Sequence, residues 1–165
     1  MVVPFWKSAF PKLLSYNRFI EIMPRCLQAL SCFFHQVKGM DTGISIIDST
    51  KLVVCHNLRI KRHRVFKDLA NRGKNSTGWF YGFKLHIVIN SLGEIINLKV
   101  TSGNVHDVAV MEALTLELKG ILLGDKGYLS KTKVEALAAR GLKLLTPSRK
   151  NMKHTQPKTS HEKEL

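Results

Sequence analysis

The sequence predicts a mixed α/β fold, a sheet with helices packed on it, and three observations point that way. An early group of strands alternates apolar and polar residues with period two and includes a hairpin. From residue 106 onward, helical and strand patterns take turns. One strand of that later part, GILLGD at 120–125, is continuously apolar up to its final acid, which suits a buried central position beside parallel neighbours.

Taken in order, residues 1–38 read as helical and amphipathic. Pro11 suits a helix start, with Leu13, Leu14, Phe19 and Ile20 at helical spacing, and Pro24 opens a second segment carrying Leu27, Leu30, Phe33 and Phe34. Two short helices packed on something larger are expected, their aromatic residues in a core. Ile44, Ile46 and Ile47 then lead into Asp48, and Leu52 to Val54 follow Thr50, a strand of branched residues with a polar middle. His56 to Gly78 is a long basic connection of the kind that usually carries function or moves.

Trp79 to Asn90 reads as a strand with Phe83, Leu85, Ile87 and Ile89 inward. Ser91 to Glu94 turns, and Ile95 to Thr101 returns as its hairpin partner. His106 to Leu118 has helical periodicity, and Asn104 with Asp107 resembles a helix-capping arrangement. After the strand at 120–125, Ser130 to Arg140 predicts a helix closed by Gly141, and Leu142 to Thr146 a strand stopped by Pro147. The expected organisation is an N-terminal helical segment at 1–40, a core at 41–147 and a basic tail at 148–165. The tail has no apolar periodicity and is expected to be disordered.

Composition narrows the function classes. A formal net charge of +14 in 165 residues, with 44% hydrophobic residues, describes a chain that can bury a core and attract dense negative charge. Nucleic acid comes first and an anionic membrane surface second; a basic ribosomal protein fits the same charge. Cys26, Cys32 and Cys55 are odd in number and form no C-x-x-C pair, which speaks against a disulfide framework or a zinc ribbon. The apolar stretch near Leu27 to Phe34 is too short and mixed to span a bilayer, and no secretory leader pattern opens the chain. A cytoplasmic protein without membrane partners is expected.

Two acids stand out by position. Asp48 lies inside an apolar strand, and Asp125 ends the most buried-looking one. If those strands are parallel neighbours, the carboxylates converge, and hard oxygen ligands of this kind suit magnesium, which also takes waters and substrate phosphates. Two such ions about 4 Å apart activate a water or sugar hydroxyl and stabilise the leaving oxygen in phosphodiester cleavage. Equally, Asp48 could cap a turn with Ser49 and Thr50, and Asp125 could accept backbone N–H groups in its own turn.

For DNA contacts, the basic stretch offers Arg59, Lys61, Arg62, Arg64, Lys67, Arg72 and Lys74, with Trp79, Phe80 and Tyr81 at its exit as stacking groups. Lys84 and His86 alternate with the expected inward face, so they touch DNA or face solvent. Lys143, Arg149, Lys150 and Lys153 extend the positive charge. His106 and Asp107 read as polar groups of a helix start, with proximity to a metal site as the competing reading.

The segments IIDST (46–50), STGWFYGFKLH (76–86), TSGNVHD (101–107) and LLGDKGY (122–128), in this order, closely resemble the transposase domain of bacterial insertion sequences, of the acidic-triad, RNase H-like kind. The resemblance runs from about residue 10 to 155. It implies an RNase H-like fold, DNA element ends and target as partners, self-association, and Mg2+- or Mn2+-dependent cutting and joining of DNA at a two-metal site. Its first two acids fall on Asp48 and Asp125.

The pattern departs from the family at the third acid, a glutamate on a helix in a segment such as I-E-x-x-F. Glu162 and Glu164 stand outside any match, and Glu135, on the predicted helix, reads like them as a solvated surface charge. The family's usual longer N-terminal region is also not matched. The chain therefore reads as truncated at both ends, its catalysis dependent on a third acid from elsewhere. The alternatives are an inactive remnant that only binds DNA and a basic RNA-binding protein, which predicts no converging carboxylates.

Overall fold

In the computed structural model, residues 12–147 are described, and the chain divides into two compact units, Met1–Lys38 and Gly39–Leu165. Pro11 and the tail from Ser148 lie outside the described residues.

The first unit holds one helix, α1 (Tyr16–Val37), where two were expected. Ser15 caps it by accepting the Arg18 N–H at 3.3 Å. Pro24 sits inside it and withholds one backbone donor, yet the helix runs on through it. Its neighbours explain the continuity: Met23, Arg25, Leu27, Gln28, Ala29 and Leu30 all favour helix. None of its residues is buried, so its aromatic residues do not form the expected core.

The second unit is a six-stranded mixed sheet: β1 (Ile44–Cys55), β2 (Asn71–Asn75), β3 (Gly78–Asn90), β4 (Ile95–Ser102), β5 (Gly120–Gly124) and β6 (Leu142–Leu145). β3 pairs antiparallel with β1 along one edge; residues 78–82 and 83–89 of its other edge pair with β2 and β4. β1, β5 and β6 are parallel neighbours. The expected hairpin is β3–β4, turned at Gly93 with φ 82°.

β2 lies within the segment expected to be one long connection, which also holds a 3-10 helix at Asn57–Arg62. Its sequence, NRGKN, has no apolar or branched residue to announce a strand. It is a strand because β3 offers it an open edge and because Gly73 permits close approach: a Cβ there would lie 2.1 Å from the Gly103 carbonyl oxygen.

The helices α2 (Asp107–Leu114) and α3 (Lys131–Ala139) cover one face of the sheet. Ile47, Val88, Leu122, Leu142 and Leu144 from the strands meet Val110, Met111, Leu114, Leu118, Tyr128 and Leu137 in the core. α2 is shorter than expected, ending before Leu118, which is buried in the turn beyond it. The position before it is His106, whose side chain makes no capping bond, so Asn104 is not the cap.

The face of β3 is also reversed from expectation. Phe80, His86, Val88 and Asn90 are buried on the helix-covered side, while Leu85, Ile87 and Ile89 are half-buried on the other. Both sides of this strand are apolar, so alternation separates two faces without saying which one a helix will cover.

Candidate active site

The register of two parallel strands builds the site. Ile47 on β1 pairs with Gly124 on β5, so the next residues, Asp48 and Asp125, stand side by side where β5 ends. Neighbouring strands lie about 4.8 Å apart, which brings the two side chains together at one end of the sheet. By the same alternation both acids project from the face opposite α2 and α3, and both are exposed.

Each carboxylate is oriented locally. Asp48 Oδ1 accepts the Ser49 N–H at 2.7 Å, and Asp125 Oδ1 accepts the Lys126 N–H at 2.7 Å. The turn reading holds for Asp125, which caps the 3-10 turn Lys126–Tyr128, whereas Asp48 with Ser49 and Thr50 lies inside β1 and forms no turn; neither local contact excludes convergence. Among the described residues, no protein donor reaches the second oxygen of either acid. Two adjacent carboxylates with a free oxygen each fit a hard divalent cation that completes its shell with waters and phosphates. Among the described residues, no group of three His, Cys, Asp or Glu could hold an ion.

A cleft of about 300 Å³ runs from these acids to a third, Asp107, and is also lined by Lys51, Lys74 and Lys84. Asp107 is the first residue of α2, as its helix-start reading expected, but it is not free. Its Oδ1 receives the Lys84 ammonium at 3.0 Å and the Ser49 hydroxyl at 3.1 Å. The Lys84 side chain is only 12% exposed and also donates to the Val105 carbonyl at 3.0 Å. The expectation that Lys84 and His86 face DNA or solvent is thus corrected. Lys84 is committed to an ion pair and His86 is fully buried, because the covered face of β3 is the one they share.

The buried ring of His86 meets Thr101 Oγ1 at 2.9 Å through Nε2, and its Nδ1 lies 3.8 Å from Asp107 Oδ1. Burial lowers its pKa from the ordinary 6.5; Asp107 acts in the opposite sense, and Lys84 and Lys99 add to the lowering. Tyr128 is 1% exposed. Burial raises its pKa well above the usual phenol value, Asp107 and then Asp48 and Asp125 add to the rise, and Ser49 opposes it. The tyrosine therefore feels all three carboxylates and stays neutral.

Of the sequence-predicted DNA contacts, Arg59, Lys61, Arg62, Arg64, Lys67, Arg72 and Lys74 are all exposed, and among the described residues none is in a salt bridge. Lys74 reaches the acid-lined cleft and also lies over the Trp79 ring, 5.6 Å from its centroid. Trp79 is 61% exposed, whereas Phe80 and Tyr81 are buried and cannot stack on a base. Lys143 is exposed; Arg149, Lys150 and Lys153 lie outside the described residues. Proximity of Asp107 to the site is its competing reading in the sequence, but its pairing with Lys84 is not legible there, because the side of β3 that faces the helices cannot be read from β3 alone.

A family model described as "Transposase DDE domain" matches residues 38–165, most of the chain. The chain belongs to this family. The domain's fold is similar to that of a piggyBac transposase, solved by cryo-EM as a synaptic complex with hairpin DNA, with a TM-score of 0.52 and 15% identity. That match covers 88% of this chain and 32% of the other, so this chain spans about a third of that structure's length. It supports the RNase H-like mixed sheet flanked by helices. No curated protein matches the sequence.

Proposed function

We propose that this DDE domain, of the insertion-sequence kind, serves DNA transposition by metal-dependent phosphodiester cleavage and strand transfer, with Asp48 and Asp125 holding the metal. The observation that carries this reading is the Ile47–Gly124 register, which sets the two carboxylates side by side with an oxygen of each unengaged. Bound Mg2+ or Mn2+ would supply activation of a water or sugar hydroxyl and stabilise the leaving oxygen. The acids hold the ions, and the exposed cations from Arg59 to Lys74 neutralise backbone phosphates and steer the duplex toward the cleft that Lys74 lines. DNA as partner is supported further by the fold neighbour, which was solved with hairpin DNA. Self-association, a cytoplasmic location and the division into 1–40, 41–147 and 148–165 belong to the same proposal.

A second reading, a remnant that binds DNA without cutting it, is favoured by one observation: among the described residues, no group of three His, Cys, Asp or Glu is placed so that it could hold an ion. In this reading the third acid of the family pattern is missing from the site.

Nicking of supercoiled DNA with Mg2+ or Mn2+ separates the two. Metal-dependent nicking that disappears in both Asp48→Ala and Asp125→Ala, with salt-sensitive DNA binding retained, is the expected result. Binding without nicking by the unmodified chain selects the second reading. Nicking that persists in both variants overturns the assignment of the acids.

A further inference from the structure

Three aspartates line one cleft, but Asp107 alone carries a lysine and a serine on one oxygen, whereas Asp48 and Asp125 each hold only the N–H of the next residue. Asp107 comes from the covered side of the sheet, whereas Asp48 projects from the opposite side of β1. What Asp107 touches is the backbone that carries the acids. Ser49, which donates to Asp107 Oδ1 at 3.1 Å, directly follows Asp48 and supplies the N–H that orients the Asp48 carboxylate. On the other side, a Cβ built on Gly127 would lie 3.4 Å from Asp107 Oδ2, so this oxygen faces the turn that follows Asp125 and leaves little more than the space of one side-chain atom between them. One carboxylate thus spans three elements: the first turn of α2, β1 beside the first acid, and the turn after the second.

The inference rests on the two-acid metal reading. We propose that Asp107 is a positioning residue for the Asp48–Asp125 pair, tying Ser49 and the turn at Lys126–Tyr128 to the start of α2, with Lys84 cancelling its charge. A third uncompensated carboxylate here would repel the other two. The lysine removes that repulsion and, through the Val105 carbonyl, also fixes the loop that enters α2. Asp107 is not assigned as a ligand, because the Lys84 ammonium paired with its carboxylate at 3.0 Å would repel a second cation there.

Groups that orient metal ligands from behind typically change metal affinity about 10–100-fold when removed. The test is Mn2+ binding to the full chain by calorimetry, with thermal melting followed in parallel. Asp107→Asn and Ser49→Ala are compared with the unmodified chain and with Asp48→Asn. Ser49→Ala cuts the tether without leaving a charge alone, so it decides the matter if Asp107→Asn does not fold. The expected result is a folded Asp107→Asn that binds Mn2+ about 10–100-fold more weakly, and a smaller loss for Ser49→Ala. A lower melting temperature with unchanged Mn2+ affinity would mean that Asp107 is structural only, and the inference falls while the metal reading stands. If the unmodified chain and Asp48→Asn bind Mn2+ alike, the metal reading fails and takes this inference with it.

Discussion

The two faces of the sheet have similar composition and opposite fates. On the face under α2 and α3, Ile47, Val88, Leu122, Leu142 and Leu144 are between 0% and 6% exposed. On the other, Ile46, Leu52, Leu98, Val100 and Leu123 remain between 37% and 53% exposed. The candidate acids stand on this open face, while the ion pair of Lys84 and Asp107 lies on the covered one. An exposed carboxylate keeps its water and can exchange it for a cation. A charge under the helices needs a permanent partner, because burial without one is costly. The same residue type therefore ends up as a candidate ligand on one face and as a tether on the other.

This contrast can be broken by experiment. The largest stability effect is expected on the covered face: Leu122→Ala should cost about 3 kcal/mol in urea unfolding, as cavities in filled cores do. A loss as small as that of an open-face substitution would refute the division of the sheet.

Next comes Lys84→Met, which strands the partly buried Asp107. A loss of about 1–3 kcal/mol is expected, below the range for fully buried pairs because both side chains keep some exposure. Recovery in the double variant Lys84→Met/Asp107→Leu would sharpen the assignment of that loss to the abandoned charge.

A smaller effect concerns pH. His86 is held neutral by burial, so its folded pKa lies below the unfolded 6.5. The unfolded chain then binds more protons in the window just below 6.5, and stability rises with pH there. The contribution is fully present above pH 6.5 and is lost as pH falls through the folded value. Melting temperatures from pH 7.5 to 5 should show this fall, and His86→Gln should flatten it; an equal slope in the variant would assign it to other groups.

The smallest change is expected for Leu98→Thr on the open face, below about 1 kcal/mol. Light scattering should show no more self-association than the unmodified chain, and less if that apolar surface is sticky. A loss comparable to that of Leu122→Ala would show that the open face is covered in solution.

Much of this arrangement was legible in the sequence. Asp48 and Asp125 were visible as acids within and at the end of apolar strands, with turn capping as the competing reason for their charge, and the strands around them followed from local alternation. The hairpin was marked by its turn residues and β6 by the proline that stops it. β2 was invisible because NRGKN carries no strand pattern of its own; the free edge of β3 and the small Gly73 made it one. Pro24 misled because a lost backbone donor is a local signal that favourable neighbours in a continuous helix can outweigh.

What the sequence by itself determined, then, is every strand but β2, the two helices of the second unit, the positive charge of the 59–74 segment and the presence of an acid in β1 and another at the end of β5, since each of these rests on residues close together in the chain. Only the tertiary structure decided that Asp48 and Asp125 are neighbours, that the even-numbered face of β3 is the covered one, and that Lys84 meets Asp107. A period-two pattern defines two faces but not their surroundings. Those are set by where helices from distant parts of the chain come to lie, and that placement separates a paired aspartate from a free one.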